Sequence, residues 1–283
     1  MKNSISRTQN AAFFAKQYMF HRIALYGNLI KNRAMEILSI HNIKEAYFDL
    51  DLENYILSFD DGLYSQFYYF PILKKTGNEM FFFIITSFIK QGKPRKMFNG
   101  ASHEYVKSSK YMHDALVKRE YTNFMTVEEI QLLSSHKQVL IGAHSHFHDS
   151  IVENIPPKKP SSQWKLEKHP YIRLMDSKKW SIRSKLAFQG YNFRDEVLMK
   201  RSEQQWIDYI KFDTELCLKW FESNLGVTPV AYCFPFNEFN DKLIMVLKSF
   251  GFNMFFNGSS VGNEDVFARM DIDAKLKESG IGS

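Results

Sequence analysis

The chain is poor in cysteine: Cys217 and Cys233 are the only two in 283 residues. Two cysteines in a chain this long make no disulfide framework, and free thiols are expected. Long apolar runs are missing as well. No stretch reaches about 18 uncharged apolar residues, so no spanning helix is expected. The opening Met1-Lys2-Asn3-Ser4-Ile5-Ser6-Arg7 has no apolar core behind it and no small-residue cleavage site. That reads as the absence of a signal peptide and makes the cytoplasm the expected location. There is no internal repeat and no low-complexity tract. Charge is not blocked into runs either: the net charge is +6 and the pI about 9.0, with Lys and Arg scattered. Such a balance suits an anionic substrate or an anionic membrane surface. No nucleic-acid motif accompanies it, so nucleic acid is not an expected partner.

What is present is apolar and aromatic. Hydrophobic residues make up 45% of the chain, with 26 Phe and 14 Tyr, enough for one large domain of the α/β barrel kind. Residues 10–35 carry Ala12, Ala15, Met19, Ile23, Tyr26 and Ile30 at three- and four-residue steps and predict a helix. It reads as an amphipathic cover, or as a helix lying on a membrane with Lys16, Arg22, Lys31 and Arg33 at the headgroups; residues 1–50 are taken as a helical extension. Short strands are predicted over 54–59, 79–85, Gln138–Ala143 and Val230–Phe234. A helix is expected through Tyr69–Lys75. Thr126 with Glu129 and Ser202 with Gln205 are capping boxes opening two more, the second reaching about Asn224, and a fourth covers Asp241–Phe250. This strand–helix–strand rhythm suggests a parallel sheet. Residues 151–200, with Pro156-Pro157-Lys158-Lys159-Pro160 and many basic and aromatic residues, read as an irregular insertion over the active-site face.

Two of the predicted strands end in chemistry. The first closes on Ser58-Phe59-Asp60-Asp61-Gly62, the third on His144-Ser145-His146-Phe147-His148. In a parallel α/β domain the loops at strand carboxyl ends gather around one crevice, so these residues can converge. His144 and His148 are spaced to face one ion, and one carboxylate with two neutral imidazoles leaves coordination positions open. Adjacent aspartates cannot both point at that ion alike; one can ligate while the other serves as a base.

Ser-Phe-Asp-Asp-Gly followed by His-Ser-His-Phe-His resembles the polysaccharide deacetylase family of metal-dependent carbohydrate esterases. The resemblance implies a distorted (β/α) barrel of seven or eight parallel strands. The implied reaction removes an N-acyl group, usually acetyl, from an amino sugar. By that similarity Asp60 is the catalytic base, Asp61, His144 and His148 hold one divalent metal, and Ser145 hydrogen-bonds within the His loop. Zinc is the first expectation for the metal, with cobalt, nickel, manganese and iron as alternatives. The family's Arg-x-Pro-aromatic motif is present as Cys233-Phe234-Pro235-Phe236-Asn237. It implies an oxyanion donor at the Phe236 N–H and substrate contacts at Pro235 and Asn237. Its arginine is replaced by Cys233, and Arg269 is the expected substitute, contacting Asp60 or the substrate. The family's late general-acid histidine is missing, because no His follows His169; His146 and His169 are candidates by type alone.

The substrate expected from this is an N-acylated amino sugar on a nucleotide or lipid carrier in surface-polysaccharide (O-antigen or capsule) biosynthesis, with peripheral contact to the inner membrane. Two alternatives stand beside it: a non-catalytic carbohydrate-binding or scaffold protein on the same fold, and a deformylase of a sugar intermediate. Trp164, Tyr171, Trp180 and Tyr191 are expected either to stack on sugars or to pack the insertion.

Overall fold

Met80-Phe81-Phe82-Phe83-Ile84 is buried at every position, which a strand can be only when both faces of its sheet are covered. A computed structural model describes residues 35–258 and 263–280. In chain order its strands are β1 (Glu36–Ile40), β2 (Tyr55–Phe59), β3 (Met80–Ile84), β4 (Val139–Ala143), β5 (Ser150–Glu153), β6 (Ser181–Ser184), β7 (Tyr191–Arg194), β8 (Val197–Lys200), β9 (Ala231–Cys233), β10 (Met254–Asn257), β11 (Val266–Ala268) and β12 (Met270–Asp271). Eight of them form one parallel sheet in the order β11-β10-β9-β4-β3-β2-β1-β12. Its two edges, β11 and β12, are consecutive in the chain and separated only by Arg269. One stretch therefore pairs with β10 at one end and β1 at the other, and the sheet curls into a nearly closed, distorted (β/α) barrel.

Successive strand residues face opposite sides. Leu57, Phe59, Phe82 and Ile84 pack in the main core. Phe81, Phe83, Phe256 and Phe267 touch one another instead, with ring centroids 5.0 Å (Phe81–Phe256), 4.9 Å (Phe83–Phe256) and 5.4 Å (Phe256–Phe267) apart. Each such pair contributes about 0.5–1.5 kcal/mol beyond its buried area. The packing leaves no room for a side chain at Gly142 in β4: a Cβ there would stand 2.6 Å from the Phe83 ring.

The helices form where their caps are. Thr126 and Glu129 make a capping box on Val127–Ser134, and Ser202 and Gln205 another on Glu203–Leu225. The expected Tyr69–Lys75 helix is instead two short helices, Tyr64–Tyr68 and Phe70–Leu73, because Pro71 begins a new helix rather than continuing one. Two larger readings differ from the sequence. β1 and the 3-10 helix Glu45–Asp49 belong to the barrel unit and not to an N-terminal extension; the run Ile37–Ile40 is too short to separate from the helical pattern before it. The expected helix over 10–35 lies outside the described residues. Residues 151–200 are not irregular. They carry most of a four-stranded antiparallel sheet, order β6-β5-β7-β8, and the helix Gln163–Lys168. Strands of only four residues give too little alternation to be read. Val152, Ile172 and Ile182 form a small core of their own there. Among the described residues no helix is long and apolar enough to cross a membrane.

Candidate active site and metal centre

The carboxyl ends of β1, β2, β4, β9 and β10 deliver the site: His41, Asp60-Asp61, His144, Phe234-Pro235 and Asn257 each end or follow a strand. Asp60 is tied to the end of β1 by its own N–H, which donates to the Ile40 carbonyl at 2.9 Å. Asp61 then turns into left-handed backbone (φ 72°), and Gly62 follows at φ 79°. A side chain at Gly62 would meet Ile84 Cγ2 at 3.0 Å, so the turn requires glycine.

Asp60 is buried and clamped by Arg269. Nη1 donates to Oδ1 at 2.6 Å and Nη2 to Oδ2 at 2.9 Å. The remaining donors of the guanidinium are spent too: on Ser58 Oγ (2.7 Å), the Asn257 carbonyl (3.1 Å) and Asn237 Oδ1 (3.4 Å). A planar fork with five donors meets five acceptors, which a lysine could not do. Burial alone would raise the Asp60 carboxyl; the Arg269 charge, followed by His144, outweighs it and holds the group well below the usual carboxylate range. Arg269 thus stands where the expected contact with Asp60 put it, and Cys233 lies beside the same carboxylate without supplying charge.

Asp61, His144 and His148 bring ligand atoms within 4.8 Å of one another, all buried. Whether they fit a divalent ion can be judged atom by atom. His144 Nδ1 lies 2.9 Å from the Cys233 carbonyl, which makes it the protonated nitrogen and leaves Nε2 with its lone pair toward Asp61 Oδ1, 3.5 Å away. Tyr111 donates to Asp61 Oδ2 at 2.8 Å, leaving Oδ1 for an ion. Burial raises the Tyr111 phenol, with Asp61 adding to it, so this donor keeps its proton. His148 Nδ1 is buried and, among the described residues, has no hydrogen-bond partner. Burial, helped by His144, Lys165 and Lys168, holds His148 neutral. A carboxylate oxygen with one side free and two neutral imidazoles are what a divalent ion needs. The rival trio, Asp60, His144 and Cys233, is equally close, but both oxygens of Asp60 are committed to Arg269.

The loop carrying the histidines is held from two sides. Ser145 Oγ accepts from the His148 N–H at 2.9 Å, as expected of it. The N–H groups of His146 and Phe147 donate to the two oxygens of Asp213 at 3.0 Å each. Asp213 comes from the long helix Glu203–Leu225 and is fully buried; burial raises its carboxyl to about 6. On the opposite wall Pro235–Asn237 forms a single 3-10 turn with Phe236 at φ 62° and Asn237 at φ 54°. The Phe236 ring centre lies 4.6 Å from that of His148. Of eight non-glycine residues with positive φ among those described, five (Asp61, Ser145, His148, Phe236, Asn237) sit here. Clustered backbone strain of this kind is a property of functional sites.

Neither histidine proposed by type reaches Asp60. His146 Nδ1 pairs with Thr86 Oγ1 at 2.8 Å, and burial takes its ring down to about 4. His169 pairs with Ser150 Oγ at 2.9 Å and Tyr171 at 3.3 Å, and is likewise lowered to about 4 by burial. The histidine that does approach is His41, whose Nε2 is 3.8 Å from Asp60 Oδ2 and whose side chain is 45% exposed. The sequence carried one signal for it: like Asp60 and His144, it directly follows a short apolar run. The aromatic residues of 151–200 mostly pack one another, Tyr171 on Phe193 and Trp180 on Tyr191. Trp164, buried, stacks on Phe236.

A sequence profile for the polysaccharide deacetylases matches residues 51–255, most of the chain. The chain belongs to the polysaccharide deacetylase family. Solved structures share the deacetylase fold at low identity. A de-N-acetylase from Aggregatibacter actinomycetemcomitans is 16% identical over 89% of this chain and 86% of that chain, with a TM-score of 0.52. IcaB from Ammonifex degensii is 13% identical over 88% and 95%, TM-score 0.51, and the BpsB deacetylase domain from Bordetella bronchiseptica 14% over 88% and 82%, TM-score 0.50. No curated protein matches the chain significantly in sequence. Family membership supports a carbohydrate deacetylase, a hydrolase acting on N-acetylated sugars.

Proposed function

We propose that this deacetylase is a divalent-metal-dependent N-deacylase of an amino sugar, acting in surface-polysaccharide assembly. The observation that carries the reading is the Asp60 carboxylate, kept ionised by Arg269 beside the Asp61–His144–His148 trio. A sugar-binding protein has no use for a base prepared in this way. A divalent ion held by Asp61, His144 and His148, zinc by preference, would supply Lewis acidity to the acyl carbonyl and to the attacking water. Asp60 takes the proton of that water at a carboxylate oxygen. Arg269 fixes both oxygens, so the base is oriented before the substrate arrives. The Phe236 N–H donates to the oxyanion that develops on the acyl oxygen; support comes from the left-handed turn that holds this residue against His148. His41, half exposed and in reach of Asp60, hands the proton to the leaving amine, the role vacant at the end of the chain. The cytoplasmic location expected from the sequence goes with a nucleotide- or lipid-linked intermediate, and cell fractionation tests it.

The experiment is acetate and formate release from N-acyl amino sugars by the protein loaded with zinc or cobalt, beside Asp60→Asn and the His144→Ala/His148→Ala double variant. The reading requires one ion per chain, lost in the double variant, and turnover lost in both. An Asp60→Asn protein as active as the parent would overturn it.

A further inference from the structure

We propose that Lys165 forms an anion subsite beside the deacylation centre, which reads a phosphate or carboxylate carried by the N-acylated sugar; this rests on the function proposed above. The cations of the 151–200 segment divide into paired and unpaired. Lys168 and Lys185 both bind Asp149, and Arg183 pairs with Glu238 at 2.7 Å. Lys165 has no carboxylate or hydrogen-bond acceptor at its Nζ among the described residues. Its ammonium lies 4.2 Å from the centre of the Phe236 ring and 5.5 Å from that of Trp164. Phe236 also neighbours His148, 4.6 Å away between ring centres. A single aromatic ring thus separates this cation from the ligand set.

The position is costly. Burial lowers the Lys165 amine to about 8; Glu238 works against that shift, while Lys159 and Arg183 add to it. The two ring faces offset only part of that cost. An entering anion would supply the missing partner. An ammonium with three rotatable donors suits a phosphate or carboxylate whose orientation varies with the sugar. Lys168, Arg183 and Lys185 are already paired with carboxylates and contribute no comparable free charge next to Phe236.

The test compares dissociation constants by calorimetry for three probes: N-acetylglucosamine 1-phosphate, N-acetylglucosaminuronic acid and neutral N-acetylglucosamine. Each is measured on the full metal-loaded chain, on K165Q and on K165R. The parent should bind at least one anionic sugar about ten-fold or more tightly than the neutral one, the size of one charge-assisted hydrogen bond. K165Q should lose that preference and K165R keep it. Preference for the phosphate points to a carrier-linked sugar, preference for the uronate to an acidic glycan. An indifferent parent, or a preference that survives in K165Q, overturns the subsite. So does a K165Q that weakens neutral and anionic sugars alike, which would make Lys165 a packing residue. These are binding readouts: an intact anion preference without acyl release would refute the deacylase reading and leave the subsite standing.

Discussion

Replacing Arg269 by methionine keeps an unbranched apolar stem and removes the guanidinium with its charge and all five donors. The structure sets the size of the effect. Asp60 has a side chain only 3% exposed, and without Arg269 it is a buried carboxylate missing its partner. Breaking one side of such a pair costs about 3–5 kcal/mol. At a urea slope of about 3 kcal/mol per M, the unfolding midpoint falls by about 1–2 M. The sign with pH follows from the depressed Asp60 carboxyl. Its stabilising contribution is present above the unfolded value, near 4, and is lost as pH falls through the folded value. In Arg269→Met burial is opposed only by weaker partners, so the carboxyl rises and the base protonates at higher pH. The acid limb of the kcat/KM profile therefore moves up, and turnover at neutral pH drops by about 10²–10⁴-fold, the worth of a positioned base. The double variant Asp60→Asn/Arg269→Met removes both charges and should regain most of the stability and none of the activity. An Arg269→Met protein with the parent's midpoint and an unmoved acid limb would refute the reasoning.

Three further outcomes are expected. His41→Gln should lower kcat by about 10²-fold or more with KM changed only a few-fold, measured by acetate release; an unchanged kcat removes His41 from the mechanism. Tyr111→Phe loses the hydrogen bond to Asp61 and should weaken metal binding about 10- to 100-fold in chelator competition. For Asp213, whose carboxyl burial raises to about 6, the stability it contributes is present below about 4 and lost as pH rises through 6. The stability of the parent relative to Asp213→Asn should therefore decline between pH 4 and 7, by at most about 3 kcal/mol; urea midpoints at the two pH values check the direction.

The ligand set was legible because its members stand at local punctuation: Asp60-Asp61-Gly62 and the His144–His148 loop each end an apolar run. The two capping boxes were legible for the same reason, since their partners are three residues apart. Tyr111, Asp213 and His41 escaped. Tyr111 meets Asp61 across 50 residues and Asp213 meets His146 across 67, and no spacing rule connects residues on different elements. Arg269 is legible only through the family resemblance: Cys233 stands where the motif has its arginine, and Arg269 resembles the arginine that other branches carry late in the chain. The small sheet of 151–200 was missed since strands of four residues are too short to show an alternation before they pair. Lys165 is visible only after its neighbours have been seen to find partners.

The strand that closes the barrel also sets the order in which the enzyme becomes competent. Asp60 and Arg269 are 209 residues apart, and Arg269 sits at the junction where β11 hands over to β12. The proposed base and metal ligands all lie on residues synthesised earlier, yet the carboxylate lacks its guanidinium partner until this segment has docked on both sheet edges. Closing so long a loop is an entropic cost met late in folding. A nascent or partly unravelled chain would thus bring the histidines together while Asp60 still lacked the guanidinium fork that orients it. On the proposed mechanism hydrolytic power is conferred by seating this segment, and its removal should silence the molecule before it disperses the Asp61–His144–His148 trio.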